Sequence, residues 1–548
     1  MFVDIGRSKQ GNKYYPRYLL RESFREDGKV KHRTIANLSH CSMEEINAIK
    51  LALRHKGSLS QLIDINQIGT KQGRRIGAVF TLNALAREIG LPKALGYHQE
   101  GKLALWQVLA RCINQGSRLS AVRLAESHAT SDILRMDSFN EDDLYANLSW
   151  LAEHQEAIEK RLFRQSYGDA IPELFLYDVT SSYLEGTRNA LGAFGYNRDG
   201  KAGKMQIVIG LLTGPDGMPV AVRVFEGNTP DSKTVAEQVR TLADSFGVQE
   251  VTVVGDRGMI KQTGIDLLHD KSFHYITAIT KPQIRKLLRD GVFQLGLFED
   301  NICEVECDGV RYILRRNPAR AKEISQTRES KLIRIRELTE KKNLYLREHP
   351  KARIEVTQGK IEEKIAQLNT TGWIRVIRHE NVFELVIDED AGNQEAELDG
   401  CYVIKTDLPV NAAAARTVHD RYKDLSQVER AFRTFKNSHL EIRPIFVRNE
   451  ATTRGHVFVV MLAYLLERRL AKSWHHLEIT VPEAIDELGS LRAVEISIGN
   501  VTCQKVPEPS GLSKQLLDSA GIKLPRVLPL RNVHVATRKK LVSQRNLN

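Results

Sequence analysis

The chain has 548 residues, of which 42% are hydrophobic and 27% charged, and a net charge of +12. That length predicts roughly three or four domains, and the composition is that of a globular protein rather than a fibrous or disordered one. No run of about 18 apolar residues occurs, which excludes a membrane-spanning helix of ordinary design.

The first residues lack a basic region followed by an apolar core, so no secretory signal is expected. The cysteines at 41, 112, 303, 307, 401 and 503 are scattered. Only Cys303 and Cys307 are close and no second pair matches them, so reduced cytosolic thiols are expected rather than a zinc site. Charge is uneven. Residues 1–40 carry nine Lys/Arg against four Asp/Glu, and residues 501–548 carry nine against two. The two ends account for the whole imbalance, the pattern of arms that grip a polyanion, with nucleic acid as the first candidate.

In chain order, residues 14–38 read as a β-hairpin turning at Glu26-Asp27-Gly28-Lys29. Arg17, Arg21, Arg25, Lys29, Lys31 and Arg33 stud it. Such a ribbon fits a DNA major groove, or it is a small capping hairpin. Residues 42–165 read as helices broken at Gly90-Leu91-Pro92 and Gly116, with room for a helix-turn-helix. The texture changes at 172. Strands are expected at 174–180, 205–212, 219–225, 251–255 and 275–280, with helices at 232–246 and 260–270. A meander followed by strand-helix-strand alternation predicts a mixed sheet with helices on its faces. Residues 282–400 interrupt the pattern: strand candidates at 312–314 and 383–387 flank a charged helical stretch at 320–368, broken near His349-Pro350. A sixth strand is expected at 401–406, then helices at 414–436 and 453–470, then a Pro-interrupted basic stretch.

Two aspartates stand out. Asp178 lies inside Leu174-Phe175-Leu176-Tyr177-Asp178-Val179-Thr180, where an unpaired carboxylate costs several kcal/mol. Asp256 follows Val251-Thr252-Val253-Val254-Gly255, at the carboxyl end of a strand, where α/β sheets place ligands. A third acid comes from helix geometry. Tyr422, Glu429 and Lys436 are seven apart, so one continuous helix aligns them, with Arg433 joining them. Leu425, Val428, Phe432 and Phe435 form an adjacent apolar stripe. Alone, Glu429 and Arg433 read first as a surface i,i+4 pair.

Together, Tyr177-Asp178-Val179-Thr180, Val254-Gly255-Asp256-Arg257-Gly258-Met259 and the 422–436 segment resemble the DDE transposases of bacterial insertion sequences, in the branch with a β-rich insertion before the third acid. The last segment is similar to that family's Tyr-x2-Arg-x3-Glu-x6-Lys signature. Supporting likeness lies in Glu226-Gly227-Asn228, in Asp399-Gly400-Cys401-Tyr402, and in Arg443-Pro444 with Arg454-Gly455-His456. One position departs: the signature arginine is Leu425, leaving its phosphate contact to Lys423 or Arg433. His456, at the start of an apolar helix, reads as structural.

The resemblance implies an α/β multidomain protein with a ribonuclease-H-like five-stranded mixed sheet. Its implied organisation is a basic hairpin arm (1–41), a helical DNA-binding region (42–168), a catalytic core in two parts (169–281 and 401–500), an insertion domain (282–400) and a basic tail (501–548). It implies binding of the element's terminal repeats, then metal-dependent cleavage and strand transfer by Asp178, Asp256 and Glu429 holding two divalent cations, Mg²⁺ or Mn²⁺. Tyr422, Arg433, Lys436 and Arg257 would contact DNA near the scissile bond, Arg17, Arg21, Lys31 and Arg33 would contact it from the arm, and Trp373 would stack on a flipped base unless it is a core tryptophan. A cytoplasmic, nucleoid-associated bacterial enzyme, homodimeric on transposon-end and target DNA, is implied. A nuclease or an inactive DNA-binding regulator on the same core are the alternatives.

Overall fold

The computed structural model describes the chain except residues 12, 58–67, 169, 300–301, 438–439, 444, 499–500, 530–532, 534 and 538–548. Pro444 of the motif and the end of the basic tail thus lie outside the described residues. Two compact units are present, Met1–Arg75 with Arg492–Pro509 and Leu524–Leu530, and Ile76–Leu491 with Ser510–Lys523 and Arg531–Asn548. Strands and helices are numbered along the chain.

The first unit opens with an antiparallel sheet of β1 (Phe2–Gln10), β2 (Lys13–Glu26) and β3 (Lys29–Asn37). Asp27 and Gly28 both have positive φ, 52° and 74°, the geometry of the two-residue hairpin turn that matches strand twist. The sequence pointed to two strands here. The third, β1, pairs along β2 from Phe2↔Arg21 to Gln10↔Lys13. Helix α1 (Met43–Arg54) follows, closed by a capping box of Ser42 and Glu45. A second sheet contains β4 (Ile68–Arg75) and three strands from late in the chain, β15 (Arg492–Ile498), β16 (Val501–Lys505) and β17 (Val527–Leu528), in the order β17-β16-β15-β4. Residues 68–75 are therefore strand, not helix. The stretch from 501, read as a tail, contributes two paired strands here and a helix, Gly511–Ser519, to the other unit.

The second unit begins with helices α2 (Gly77–Glu88), α3 (Leu91–Leu95), α4 (Gln99–Ile113), α5 (Arg118–Ser127), α6 (Thr130–Leu134) and α7 (Glu141–Tyr167). Next come β5 (Leu174–Tyr183), β6 (Gln206–Thr213), β7 (Pro219–Glu226), α8 (Asp231–Arg240), β8 (Thr252–Gly255), α9 (Gln262–Asp270) and β9 (His274–Ala278). After α10 (Lys281–Arg289) lie β10 (Cys303–Cys307) and β11 (Val310–Arg316). A charged helical pair, α11 (Pro318–Glu348) and α12 (Ile354–Gln367), a hairpin of β12 (Ile374–His379) and β13 (Val382–Ile387), and α13 (Glu389–Ala396) complete the insertion. The chain ends this unit with β14 (Cys401–Thr406), α14 (Ala415–Lys423), α15 (Leu425–Lys436), α16 (Glu450–Trp474), α17 (Val481–Gly489) and α18 (Gly511–Ser519).

The main sheet has eight strands in the order β10-β11-β14-β9-β8-β5-β6-β7. Within it β5 runs antiparallel to β6, β6 antiparallel to β7, and β5 parallel to β8 and β8 to β9. The expected five strands are all present, but the sheet does not end at β9: β14 pairs antiparallel with β9 and β11 with β14. The insertion is thus partly an extension of the sheet. The rest of it has its own core around Ile335, Ile361, Trp373 and Phe383.

Apolar burial explains why β5 tolerates an acid. Eight of its ten residues are buried, and only Asp178 and Tyr183 are intermediate. Each fully buried large side chain contributes about 1.5–3 kcal/mol, so Phe175, Leu176 and Tyr177 outweigh the several kcal/mol that a partly desolvated carboxylate costs. Helix α16 crosses the unit buried on most sides. Gly455 lets it touch α7 closely, since a Cβ there would sit 2.0 Å from the carbonyl oxygen of Leu148.

Candidate active site

Strand order places the first two acids side by side. β5 and β8 are parallel neighbours with Tyr177 opposite Gly255, so Asp178 and Asp256 each follow the last paired residues. Asp256 begins the turn Asp256-Arg257-Gly258-Met259, in which Gly258 holds φ 84° and the N–H of Met259 donates to the Asp256 carbonyl at 3.1 Å. Glu429 comes from α15, which packs over β5 through the buried stripe Leu425, Val428, Ala431, Phe432 and Phe435. Asp178, Asp256 and Glu429 line one open cleft of about 480 Å³.

The helix carrying Glu429 is not the continuous one expected. It breaks at Asp424, which ends α14 and begins α15. Tyr422 is therefore not aligned with Glu429 and Lys436 by helical periodicity. It reaches the site by another route, donating its hydroxyl to Asp256 Oδ1 at 3.2 Å. Leu425, in the place of the signature arginine, is buried at the start of α15. Of the two substitutes considered for it, Arg433 lines the cleft and Lys423 does not.

Electrostatically the cleft is loaded with acids. Asp178 is pushed up to about 7, mainly by burial and further by the charges of Asp256 and Glu429, while the N–H of Val179 and Arg198 oppose the shift. Its Oδ1 accepts from that N–H at 2.7 Å. Asp256 Oδ1 accepts the N–H of Arg257 at 2.6 Å as well as the Tyr422 hydroxyl.

Sequence reasoning missed two residues of the loop that lines this cleft. Asp199, in the β5–β6 loop, has a side chain only 1% exposed and binds both Lys436 Nζ at 2.8 Å and Arg443 at 2.6 Å. Arg198 also lines the cleft and pairs with Asp231 at 2.7 Å. The loop's sequence, Tyr196-Asn197-Arg198-Asp199-Gly200, carried no signal beyond a turn. Lys436, expected to hold phosphate, is thus engaged by Asp199, and burial lowers its pKa.

Other candidates lie elsewhere. Trp373 is 6% exposed in the core of the insertion. Its ring packs among Ile335, Ile361 and Phe383, the core-tryptophan alternative, and also lines a cavity with Lys281 and Arg328. On the arm, Arg21 pairs with Asp4 (2.9 Å), Lys31 with Glu26 (2.6 Å) and Arg33 with Glu22 (2.6 Å), while Arg17 is exposed. His456 is buried and neutral, as a structural residue would be.

The donor set suits a hard divalent cation. Three carboxylates face one cleft, and Asp178 is held back from ionising mainly by burial and further by the other two, a conflict that a bound cation relieves. Among the described residues, no group of three or more His, Cys, Asp or Glu is arranged to hold an ion as it stands.

The model of the transposase DDE domain matches residues 170–466, and that of the N-terminal domain of IS1634 family transposases matches residues 5–62. The chain belongs to the DDE transposases of insertion sequences, enzymes that cleave DNA and transfer its strands with divalent metal ions. A cryo-EM structure of the piggyBac transposase synaptic complex with hairpin DNA is similar over 71% of this chain and 69% of that one, with 8% identity and a TM-score of 0.35. No curated protein matches. No helix among the described residues is long and apolar enough to cross a membrane.

Proposed function

We propose that Asp178, Asp256 and Glu429 are the catalytic carboxylates of this transposase, and that they hold two divalent cations, Mg²⁺ or Mn²⁺. One observation carries the reading: acids from β5, from the end of β8 and from α15 line a single cleft, although 78 and 173 residues separate them along the chain. The strand order β7-β6-β5-β8-β9, with its antiparallel meander and parallel pair, supports a ribonuclease-H-like core. The substrate is the pair of terminal repeats of the element, and the working form is a homodimer on transposon-end and target DNA. The arm (1–41) and the mainly helical region (42–168) that includes β4 bind DNA, 169–281 and 401–491 form the core, and 282–400 is inserted between them.

Both chemical steps are in-line displacements at phosphorus. Water attacks at the transposon end and a 3′-hydroxyl leaves; that hydroxyl then attacks target DNA and a second 3′-oxygen leaves. The cations supply charge neutralisation at the phosphate and a stronger oxygen nucleophile. The chain's residues do the positioning. Tyr422 and the Arg257 N–H fix Asp256 through one oxygen, leaving Oδ2 open. Arg433, exposed at the rim, meets the DNA backbone. Lys436 and Arg443 share Asp199, so phosphate binding competes with that acid and draws the β5–β6 loop into the response.

The test is strand transfer on a terminal-repeat duplex with Mn²⁺. Asp178→Asn, Asp256→Asn and Glu429→Gln should each lower it by at least about a thousandfold, the scale of losing a group that stabilises charge in the transition state, with duplex binding retained. A variant of the three that still joins strands at a tenth of the parent rate removes that residue from the assignment.

A further inference from the structure

Beside the catalytic cleft lies a cavity of about 290 Å³ lined by Arg111, Arg118, Tyr145, Arg443, Phe446 and His456. Arg443 lines both spaces. Arg111 and Arg118 are each 5% exposed, and neither has a carboxylate partner among the described residues. Arg111 donates through one terminal nitrogen to the carbonyls of Gln115 (2.8 Å) and Glu441 (3.4 Å), and its Nε is buried with no partner. Arg118 donates to Nδ1 of His456 at 2.9 Å, and the other ring nitrogen faces the Ile442 carbonyl at 3.2 Å. The ring that accepts on one side and donates on the other is neutral.

These cations strain against their surroundings. Burial lowers Arg118 to about 9, with repulsion from Arg111 adding to it, and lowers Arg111 to about 10. Burial and both arginines press His456 well below its ordinary range. Glu441 lines the same cavity, lies 3.4 Å from Arg443 Nε, and opposes the lowering of Arg111 less than burial drives it. Ser117, the N-cap of α5, also lines the cavity, so a helix N-terminus adds its partial positive charge. At the rim, Tyr145 is 41% and Phe446 71% exposed, surfaces suited to a sugar or base.

We propose that Arg111 and Arg118, the latter held by the ring of His456, form a second anion site, which takes a backbone phosphate of the DNA strand lying in the catalytic cleft. The proposal rests on the cleft being where DNA is processed. Buried arginines kept without an acid cost stability unless an anion joins them, and the cavity runs from the wall shared through Arg443.

The experiment measures binding of the full chain, in EDTA so that no cleavage is needed, to a duplex of the terminal sequence flanking its coding region. Arg118→Met and Arg111→Met should each weaken binding about tenfold and flatten its salt dependence by about one phosphate contact. The melting temperature of the free protein should hold or rise. In a scan of duplexes with single neutral methylphosphonates, one position should weaken the parent about tenfold and leave Arg118→Met unaffected, the signature of a direct pair. A fall in melting temperature for both variants makes the arginines structural and overturns the site. A scan in which every position costs the variant as much as the parent overturns the DNA contact. If inorganic phosphate then raises the parent's melting temperature and not the variant's, the site is one for free anions. Because catalysis is not read, strand transfer by all three carboxylate variants would sink the reading of the cleft separately, while the binding data would still judge the pocket.

Discussion

Two acids of the second unit, both pushed up by burial, are partnered very differently. Glu159 on α7 has a fully buried side chain, yet it accepts from Arg223 at 2.7 Å, from the Val222 N–H at 3.1 Å and from Gln155 at 2.8 Å. Arg223 in turn donates to Thr241 Oγ1 at 3.1 Å. Burial still pushes Glu159 up, but Arg223, Gln155 and the Val222 N–H all oppose it, and the pair fastens α7 to β7. Asp178 receives a single backbone N–H and faces two further acids. A charge that the fold answers is architecture. A charge that it leaves open is held for something outside the chain.

The largest effect that would break this contrast belongs to the answered pair. Glu159→Ala leaves Arg223 buried beside a gap and should cost about 3–5 kcal/mol in urea unfolding, the usual loss on breaking a buried pair. A change below 1 kcal/mol, on the order of a surface pair, would show that Glu159 and Asp178 do not differ. Asp178→Asn should go the other way. Its folded-state pKa of about 7 lies above the ordinary 3.8, so the folded protein holds a proton that the unfolded chain has lost. That costs stability as pH rises from about 4 through 7, by a few kcal/mol once above 7. In EDTA the variant should therefore melt above the parent at pH 8 and level with it near pH 4, and Mn²⁺ at pH 8 should raise the parent alone. A melting gap independent of pH would sharpen the contrast against us. Smallest is the exposed control: Arg33→Ala, which loses Glu22 on the open arm, should change stability by less than about 1 kcal/mol in the same titration.

Much of this was legible because the sheet is buried. Continuous apolar runs marked β5, β6, β7, β8 and β9, and an acid inside or just after such a run is conspicuous, so Asp178 and Asp256 declared themselves. Glu429 needed the periodicity of its helix, and that periodicity misled for Tyr422, since nothing local announces the break at Asp424. Strand β4, Ile-Gly-Thr-Lys-Gln-Gly-Arg-Arg, has little β character of its own. It is a strand because β15 pairs with it from more than 400 positions away, and long-range pairing leaves no mark in a short window. Asp199, Arg111 and Arg118 were hidden for a related reason. A charged residue in a loop or a helix reads as solvated until packing shows it enclosed.

The junction of the insertion has a consequence for how such chains can diverge. Arg316 and Cys401 face each other across β11 and β14, and the Asn317 N–H donates to the Gly400 carbonyl at 2.9 Å. Everything from 317 to 400 therefore leaves and rejoins the sheet at one point, as an enlarged tip of a hairpin. Its length can drift, or the whole module be exchanged for a tight turn, while the strand that leads on to Glu429 keeps its place. Descendants of this architecture are free to carry different cargo at that tip without renegotiating the chemistry.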